Sequence, residues 1–339
     1  MNTYWKVETH GDPIGTVQNL IKAIWAQANL DGILAAVNGG RNARLIEQPE
    51  TMSEVNPFKP LMVQNLARVV PTMLETRPAA RLGALLRPCE MRALIEMSKR
   101  ASIHRERLVT VCVDCLGTYP LEEYEWRAWK KGSPEGLANE ALSFARQGGI
   151  LAYRYRAACQ MCSAPGAQSA DLNIHVLGLP ARQQILVEAD AEETAGWLDL
   201  EALTSAPAEP ELARQHEAVL MRQAERHHHT MEKVLRTLDD LLPRDVDGLI
   251  SQLEGCGDCQ RCMTVCPICA SEFPQREADG RYPRQGIMRW MVSCAGCGMC
   301  EQACTSNLPL GVIFASIREK LDAELGYTPG RGWNDALPL

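Results

Sequence analysis

The apolar positions near the start of the chain recur at helical spacing. Ile14, Val17, Leu20, Ile21, Ile24, Trp25 and Ala28 form one stripe, and Asp31-Gly32 then turns into the unbroken apolar run Ile33 to Val37. That order, helix then buried strand, repeats along the next eighty residues. A helix-like stretch spans Leu61 to Leu74, a strand-like run Leu82 to Leu86, a helix Glu90 to Lys99 and a strand Leu108 to Val113. Such alternation predicts an α/β layer with a largely parallel sheet. Ile174 to Leu177 and Ile185 to Val187 are further strand candidates, and Asp190 with Glu193 has the form of a helix-capping pair.

The pattern changes after Pro207 and Pro210. From Glu211 to Leu242 there are few breakers, and Leu212, Val219, Leu220, Met231, Val234, Leu235, Leu238 and Leu241 share a face, which predicts a long linking helix. His227, His228 and His229 lie in it as consecutive residues, which point in different directions around a helix axis and so read as a solvated surface. Pro243 ends that helix and a cysteine-rich segment follows. Phe314, Ile317, Leu321 and Leu325 then form a last amphipathic helix that stops at Gly326 with its apolar face free to cover something, ahead of a Pro/Gly-rich tail.

With 339 residues, of which 46% are hydrophobic and 23% charged, the chain is an ordinary globular one with room for more than one core. The net charge of -7, without any long Lys/Arg run, offers no footprint for nucleic acid or an anionic membrane. No apolar stretch is long enough for membrane insertion, and Lys6, Glu8 and His10 stand where a signal peptide needs an apolar core, so a cytoplasmic location is expected. Fourteen cysteines in such a chain point to metal or redox chemistry, because cytosolic thiols stay reduced.

Eight of them form two runs of the type Cys-x-x-Cys-x-x-Cys-x-x-x-Cys: Cys256, Cys259, Cys262 and Cys266, then Cys294, Cys297, Cys300 and Cys304. In this spacing three thiolates wrap one cubane and the fourth ligates the other cluster. The expected ligand sets are therefore Cys256, Cys259, Cys262 and Cys304 for one 4Fe-4S cluster, and Cys294, Cys297, Cys300 and Cys266 for the second. Zinc sites usually pair two Cys-x-x-Cys knuckles and need no such third, equally spaced thiolate. Thr305 replaces the proline that follows Cys266, and Cys269 is a spare thiol able to substitute for Cys266. Arg276, Arg281, Arg284 and Arg289, between the runs, read as a solvated loop beside the clusters.

Cys89, Cys112, Cys115, Cys159 and Cys162 fall in the α/β portion, at strand ends and in a loop, where such sheets bind ligands. Four of the five suffice for a third 4Fe-4S cluster; zinc and plain thiols are the other readings.

At Leu82 to Met97 the chain resembles the strand, Pro-Cys turn and helix of the coenzyme F-420 hydrogenase/dehydrogenase beta-subunit family. Cys159-Gln-Met-Cys162 followed by Ala170-Asp171-Leu172-Asn173-Ile174, the stretch Leu108 to Tyr119 with its two cysteines, and the first helix leading into Leu30-Asp31-Gly32-Ile33 are similar to that family as well. The resemblance implies an FAD-bearing α/β domain with its own 4Fe-4S cluster, held by Cys89, Cys159, Cys162 and either Cys115 or Cys112. It also implies electron transfer between a flavin or deazaflavin and a catalytic partner. The family's Ser-Gly-Gly element is replaced by Asp12-Pro13-Ile14-Gly15-Thr16, so Gly15, Thr16 and Asn38 of the Asn-Gly-Gly turn are the remaining flavin candidates.

The expected organisation is an α/β beta-subunit-like domain over 1–205, a linking helix over 206–247, a two-cluster ferredoxin-like α module over 248–310 and a C-terminal helix and tail over 311–339. The expected function is that of an iron-sulfur electron-transfer subunit serving a catalytic formate dehydrogenase, hydrogenase or heterodisulfide-reductase-like chain and a redox carrier. A self-contained flavin/iron-sulfur reductase and a zinc-stabilised scaffold are the alternatives. No Ser/His/Asp set, HExxH or P-loop indicates a catalytic centre of its own.

Overall fold

The computed structural model describes all residues except 1–3, 150–153, 191–193, 195–197, 205, 239–242, 244, 246, 250, 252–258, 274 and 339. Cys256, Glu193 of the expected cap and the end of the expected linking helix lie outside the described residues. The first half alternates strand and helix: β1 (Tyr4–Glu8), α1 (Pro13–Ala28), β2 (Gly32–Ala35), β3 (Arg44–Ile46), α2 (Val70–Thr76), β4 (Leu82–Leu86), α3 (Pro88–Ser98) and β5 (Leu108–Val113). Then come α4 (Leu121–Lys131), α5 (Pro134–Ser143), α6 (Ala157–Gln160), β6 (Leu172–His175), β7 (Gln184–Ala189), α7 (Leu200–Leu203) and β8 (Ala206–Pro207). The rest is helical: α8 (Pro210–Thr237), α9 (Arg261–Val265), α10 (Pro267–Ser271), α11 (Arg284–Met291), α12 (Met299–Ala303) and α13 (Leu310–Leu325).

The eight strands form one sheet in the order β3-β2-β4-β5-β6-β7-β1-β8. Only the centre is parallel: β2, β4, β5 and β6 run together, whereas β3, β7, β1 and β8 each pair antiparallel with a neighbour. The expectation of a largely parallel sheet is thus corrected at both edges. β2, β4, β5 and β6 are buried at every position, the signature of strands covered on both faces.

Helix α1 forms where its stripe predicts. Asp12 caps it by accepting from the Gly15 amide at 2.9 Å, Pro13 sits in the first turn, and Asn29 ends it in the left-handed conformation. Strand β6 starts and stops two residues earlier than its apolar run, because the amides of Val176 and Leu177 are taken by Asp114 instead of a strand partner. The helix expected over Leu61 to Leu74 shrinks to α2, since the Asn65 side chain caps the Ala67 amide in a short turn and Pro71 fits only a first turn.

One apolar core lies on the face of the sheet that packs α1 and α5; the other runs from β4, α2 and α3 into the C-terminal helices. The face of α13 expected to be free is therefore covered. Phe314, Ile317 and Leu321 are buried, and Phe314 meets Trp290 edge to face at 5.2 Å. Truncation after Leu310 would unmake this core, so its effect falls on folding and not on a docking surface.

The tail straps the two halves together. Tyr327 donates to Glu96 at 2.8 Å, the Gly330 amide donates to Glu96 at 2.8 Å, and Trp333 donates to the Ser169 carbonyl at 3.1 Å. A side chain at Gly330, whose φ is +72°, would sit 2.5 Å from the Arg92 Cα. No described helix is long and apolar enough to cross a membrane.

Candidate metal centres

Four of the five N-terminal cysteines meet. Cys89, Cys115, Cys159 and Cys162 line one cavity of about 270 Å³, and Cys297 of the second C-terminal run joins them there. Each is positioned by the chain that carries it. Cys89 lies in the first turn of α3, whose capping box joins Arg87 and Glu90: Glu90 accepts from the Arg87 amide at 2.9 Å, and the Arg87 guanidinium donates to the Lys59 and Leu61 carbonyls at 2.8 Å. Cys115 follows β5, and Asp114 beside it accepts backbone amides from Ala167, Val176 and Leu177 at 2.8, 2.8 and 2.9 Å. Cys159 is on α6, held by the Arg156 amide donating to the Thr118 carbonyl at 3.0 Å. Cys112 is fully buried in β5 among core side chains and does not line the cavity.

Burial opposes ionisation of these thiols: it pushes Cys89 and Cys112 up and Cys115 to about 12. Cys159 goes the other way. Burial works against its thiolate, but the Arg156 guanidinium and the Thr118 hydroxyl, 3.2 Å from its sulfur, outweigh it. Cluster binding displaces the protons of such thiols, and four converging cysteines with a nearby buried guanidinium fit an iron-sulfur cluster.

The two C-terminal runs fold alike. Gln260 (φ +48°) and Gly298 (φ +67°) stand at equivalent places after the second cysteine of each run, both left-handed, and each caps a short helix, α9 or α12. Gly298 also allows a close approach: a Cβ there would lie 2.3 Å from the Ala158 Cβ of α6. That contact brings Cys297 to the N-terminal cavity. Arg92 secures the same junction, donating to the Ala164 carbonyl at 2.8 Å and the Ala295 carbonyl at 3.3 Å.

Cys259, Cys262 and Cys304 line a second, smaller cavity with Trp290 and Phe314. Cys266 lies instead in the electrostatic neighbourhood of Cys294, Cys297 and Cys300. Its sulfur accepts from the Cys269 thiol, which holds Cys266 down to about 6, and from Trp290 Nε1 at 3.5 Å. Cys269, buried, is thus the donor to Cys266.

Several functional side chains gave no sequence signal. His175 sits between Asp114 and Glu188, 3.4 and 3.2 Å away, and His216 of α8 lies against it with ring centroids 4.4 Å apart and planes tilted by 52°, while donating to the Leu177 carbonyl. Asp114, His175 and His216 lie close enough to hold a metal ion. Both Asp114 oxygens already accept backbone amides, however, and both His175 nitrogens face carboxylates, so the group fits a buried ion-pair network that pins the Cys115 strand end.

Burial works against the charge on His175, but the hydrogen bonds with Asp114 and Glu188 outweigh it and hold its pKa up at about 9. A histidine so raised contributes stability that is complete below its unfolded pKa of about 6.5 and is lost as pH rises through the folded value. Anaerobic denaturant unfolding should therefore show stability falling between about pH 6.5 and 9, by up to about 3 kcal/mol. His175→Gln should be less stable at pH 6 and lack that decline; a flat profile in the parent protein contradicts the network.

The flavin candidates do not form a cradle. The Gly15 amide is spent on Asp12, the Thr16 hydroxyl donates to the Asp12 carbonyl at 2.8 Å, and Asn38 Oδ1 accepts from Asn56 at 2.8 Å. None of the three lines a cysteine cavity, so these residues do not fit a flavin beside the cysteine sets. The histidine triplet also departs from expectation: His228 and His229 are exposed, but His227 is half-buried on the main cavity with Nδ1 against the Cys162 carbonyl.

No protein-family model matches the chain. Over 366 aligned positions it is 25% identical to the F420-dependent formate dehydrogenase 1 subunit beta of Methanococcus maripaludis, covering 94% of this chain and 91% of that protein. An 87-residue stretch is 36% identical to the F420-dependent formate dehydrogenase subunit beta of Methanocaldococcus jannaschii, covering 22% of this chain and 23% of that one. A chain of the F420-reducing NiFe hydrogenase complex from Methanosarcina barkeri superposes with a TM-score of 0.49 at 9% identity, over 69% of this chain and 91% of that one, a likeness too loose to argue from. The resemblance to beta subunits thus holds along nearly the whole chain.

Proposed function

We propose that this chain, similar over 94% of its length to a beta subunit of F420-dependent formate dehydrogenase, is an electron-transfer subunit holding three 4Fe-4S clusters. It would pass single electrons between a redox carrier and a catalytic dehydrogenase, hydrogenase or reductase chain. The observation that carries this reading is the cavity in which Cys89, Cys115, Cys159 and Cys162 meet Cys297. Two cysteine sets from distant parts of the sequence share one buried wall there, as neighbouring electron carriers require.

The ligand sets proposed are Cys89, Cys115, Cys159 and Cys162; Cys266, Cys294, Cys297 and Cys300; and Cys256, Cys259, Cys262 and Cys304. A 4Fe-4S cluster, when bound, supplies reversible one-electron storage without proton transfer. The chain's own residues do the rest. Gly298 lets α6 and the second cysteine run touch, Arg92 locks that contact, and Trp290 and Phe314 form the apolar wall of the cavity of Cys259, Cys262 and Cys304. The amide and thiol donors to Cys266 and the Arg156 guanidinium near Cys159 favour the more negatively charged, reduced state.

Anaerobically purified protein should be brown, bleach on reduction and recover on reoxidation, yet not oxidise formate with an artificial acceptor until a catalytic chain is added. Formate turnover by the isolated chain would favour the self-contained reductase, and a colourless protein the scaffold.

A further inference from the structure

Three buried arginines surround the cysteine sets, and their partners differ. Arg87 is paired with Glu90, and Arg92 spends its donors on backbone carbonyls. Arg156, only 5% exposed, has neither. Its Nε donates to the Thr118 hydroxyl at 2.7 Å, its Nη2 lies 3.7 Å from the Cys159 sulfur, and its Nη1 lies 3.5 Å from the Met299 sulfur. Among the described residues no carboxylate forms an ion pair with it: Glu301 feels its charge only at longer range and accepts the Gly311 amide instead. Sulfur is a weak acceptor, and a buried cation left to such partners is costly unless a counter-charge stands nearby.

The position supplies the answer. Cys159 belongs to the N-terminal set, whereas Met299 lies between Cys297 and Cys300 of the C-terminal set, so the guanidinium reaches across the junction that Gly298 makes possible. We propose that Arg156 is a shared counter-cation for two neighbouring cluster sites, one held by Cys89, Cys115, Cys159 and Cys162 and the other containing Cys297. The inference rests on the reading of both sets as iron-sulfur sites. Four thiolates make each cluster anionic, and reduction adds one electron and no proton. A fixed positive charge between them then stabilises the reduced form of each and offsets the repulsion between electrons on adjacent sites. The outer set of Cys259, Cys262 and Cys304 has no such contact with Arg156.

The test uses the full chain, purified anaerobically, with iron content measured first and midpoint potentials then followed by electron paramagnetic resonance during dithionite titration. Signals are assigned with Cys115→Ser and Cys304→Ser. Arg156→Gln should keep its iron and lower the potentials of both adjoining clusters, with the outer one unmoved; Arg156→Lys should stay near the parent values. Unchanged potentials in iron-replete Arg156→Gln, a shift confined to one cluster, or an equal shift in Arg156→Lys would overturn the proposal. Should Arg156→Gln lose iron, Met299→Glu decides, because it neutralises the guanidinium in place: it should lower both potentials while Met299→Gln does not, and the absence of that difference overturns the proposal. A parent protein without iron at these sites fails at the first measurement and overturns the cluster assignment itself.

Discussion

Cys115→Ser removes about four iron atoms per chain, one cubane's worth, while Cys112→Ser removes none. The two cysteines are three residues apart at the end of the same strand, yet they face different surroundings. Cys115 lines the cavity with Cys89, Cys159 and Cys162, and Cys112 is buried in the core between Leu86 and Asn173 of the neighbouring strands. Replacing Cys112 puts a hydroxyl into an apolar site at a cost of about 1–3 kcal/mol, which lowers stability without touching a donor set. Iron analysis and the unfolding midpoint of the two variants separate these effects. Equal iron loss in both, or loss only in Cys112→Ser, would contradict the donor set.

A second large effect is expected from Cys304→Ser. Cys304 stands in the second cysteine run but lines the cavity of Cys259 and Cys262, whereas Cys266 of the first run neighbours Cys294, Cys297 and Cys300. The variant should therefore lose or alter the cluster of the first run, again about four irons, and leave the spectroscopic signal of the Cys297 site in place. Damage confined to the Cys297 site would mean that each run serves its own cluster.

How much of this was legible beforehand depends on whether the signal was local. The stripe of α1, the apolar runs of β4 and β5 and the spacing of the two cysteine runs are local, and they were readable. Strands β3 and β8 at the sheet edges and β1 beside β8 are defined by their pairing, so nothing in Tyr4–Glu8 or Ala206–Pro207 alone marked them. The convergence of Cys89, Cys115, Cys159 and Cys162 follows from sheet order, which spacing does not encode. Arg156, Asp114 and His175 escaped notice because a charged residue beside an apolar run looks like a surface one until the chain folds over it. Gly15 and Thr16 show the opposite limit: they read as a ligand-binding turn, whereas in the fold Asp12 of the same turn accepts from the Gly15 amide and the Thr16 hydroxyl.

The most direct test of three clusters is the iron and acid-labile sulfide content of the intact, anaerobically purified chain, with zinc measured alongside. Three donor sets predict about twelve irons per chain, a matching amount of sulfide and no zinc. About eight irons would leave Cys89, Cys115, Cys159 and Cys162 as plain thiols around an ordinary cavity and contradict the account at its centre.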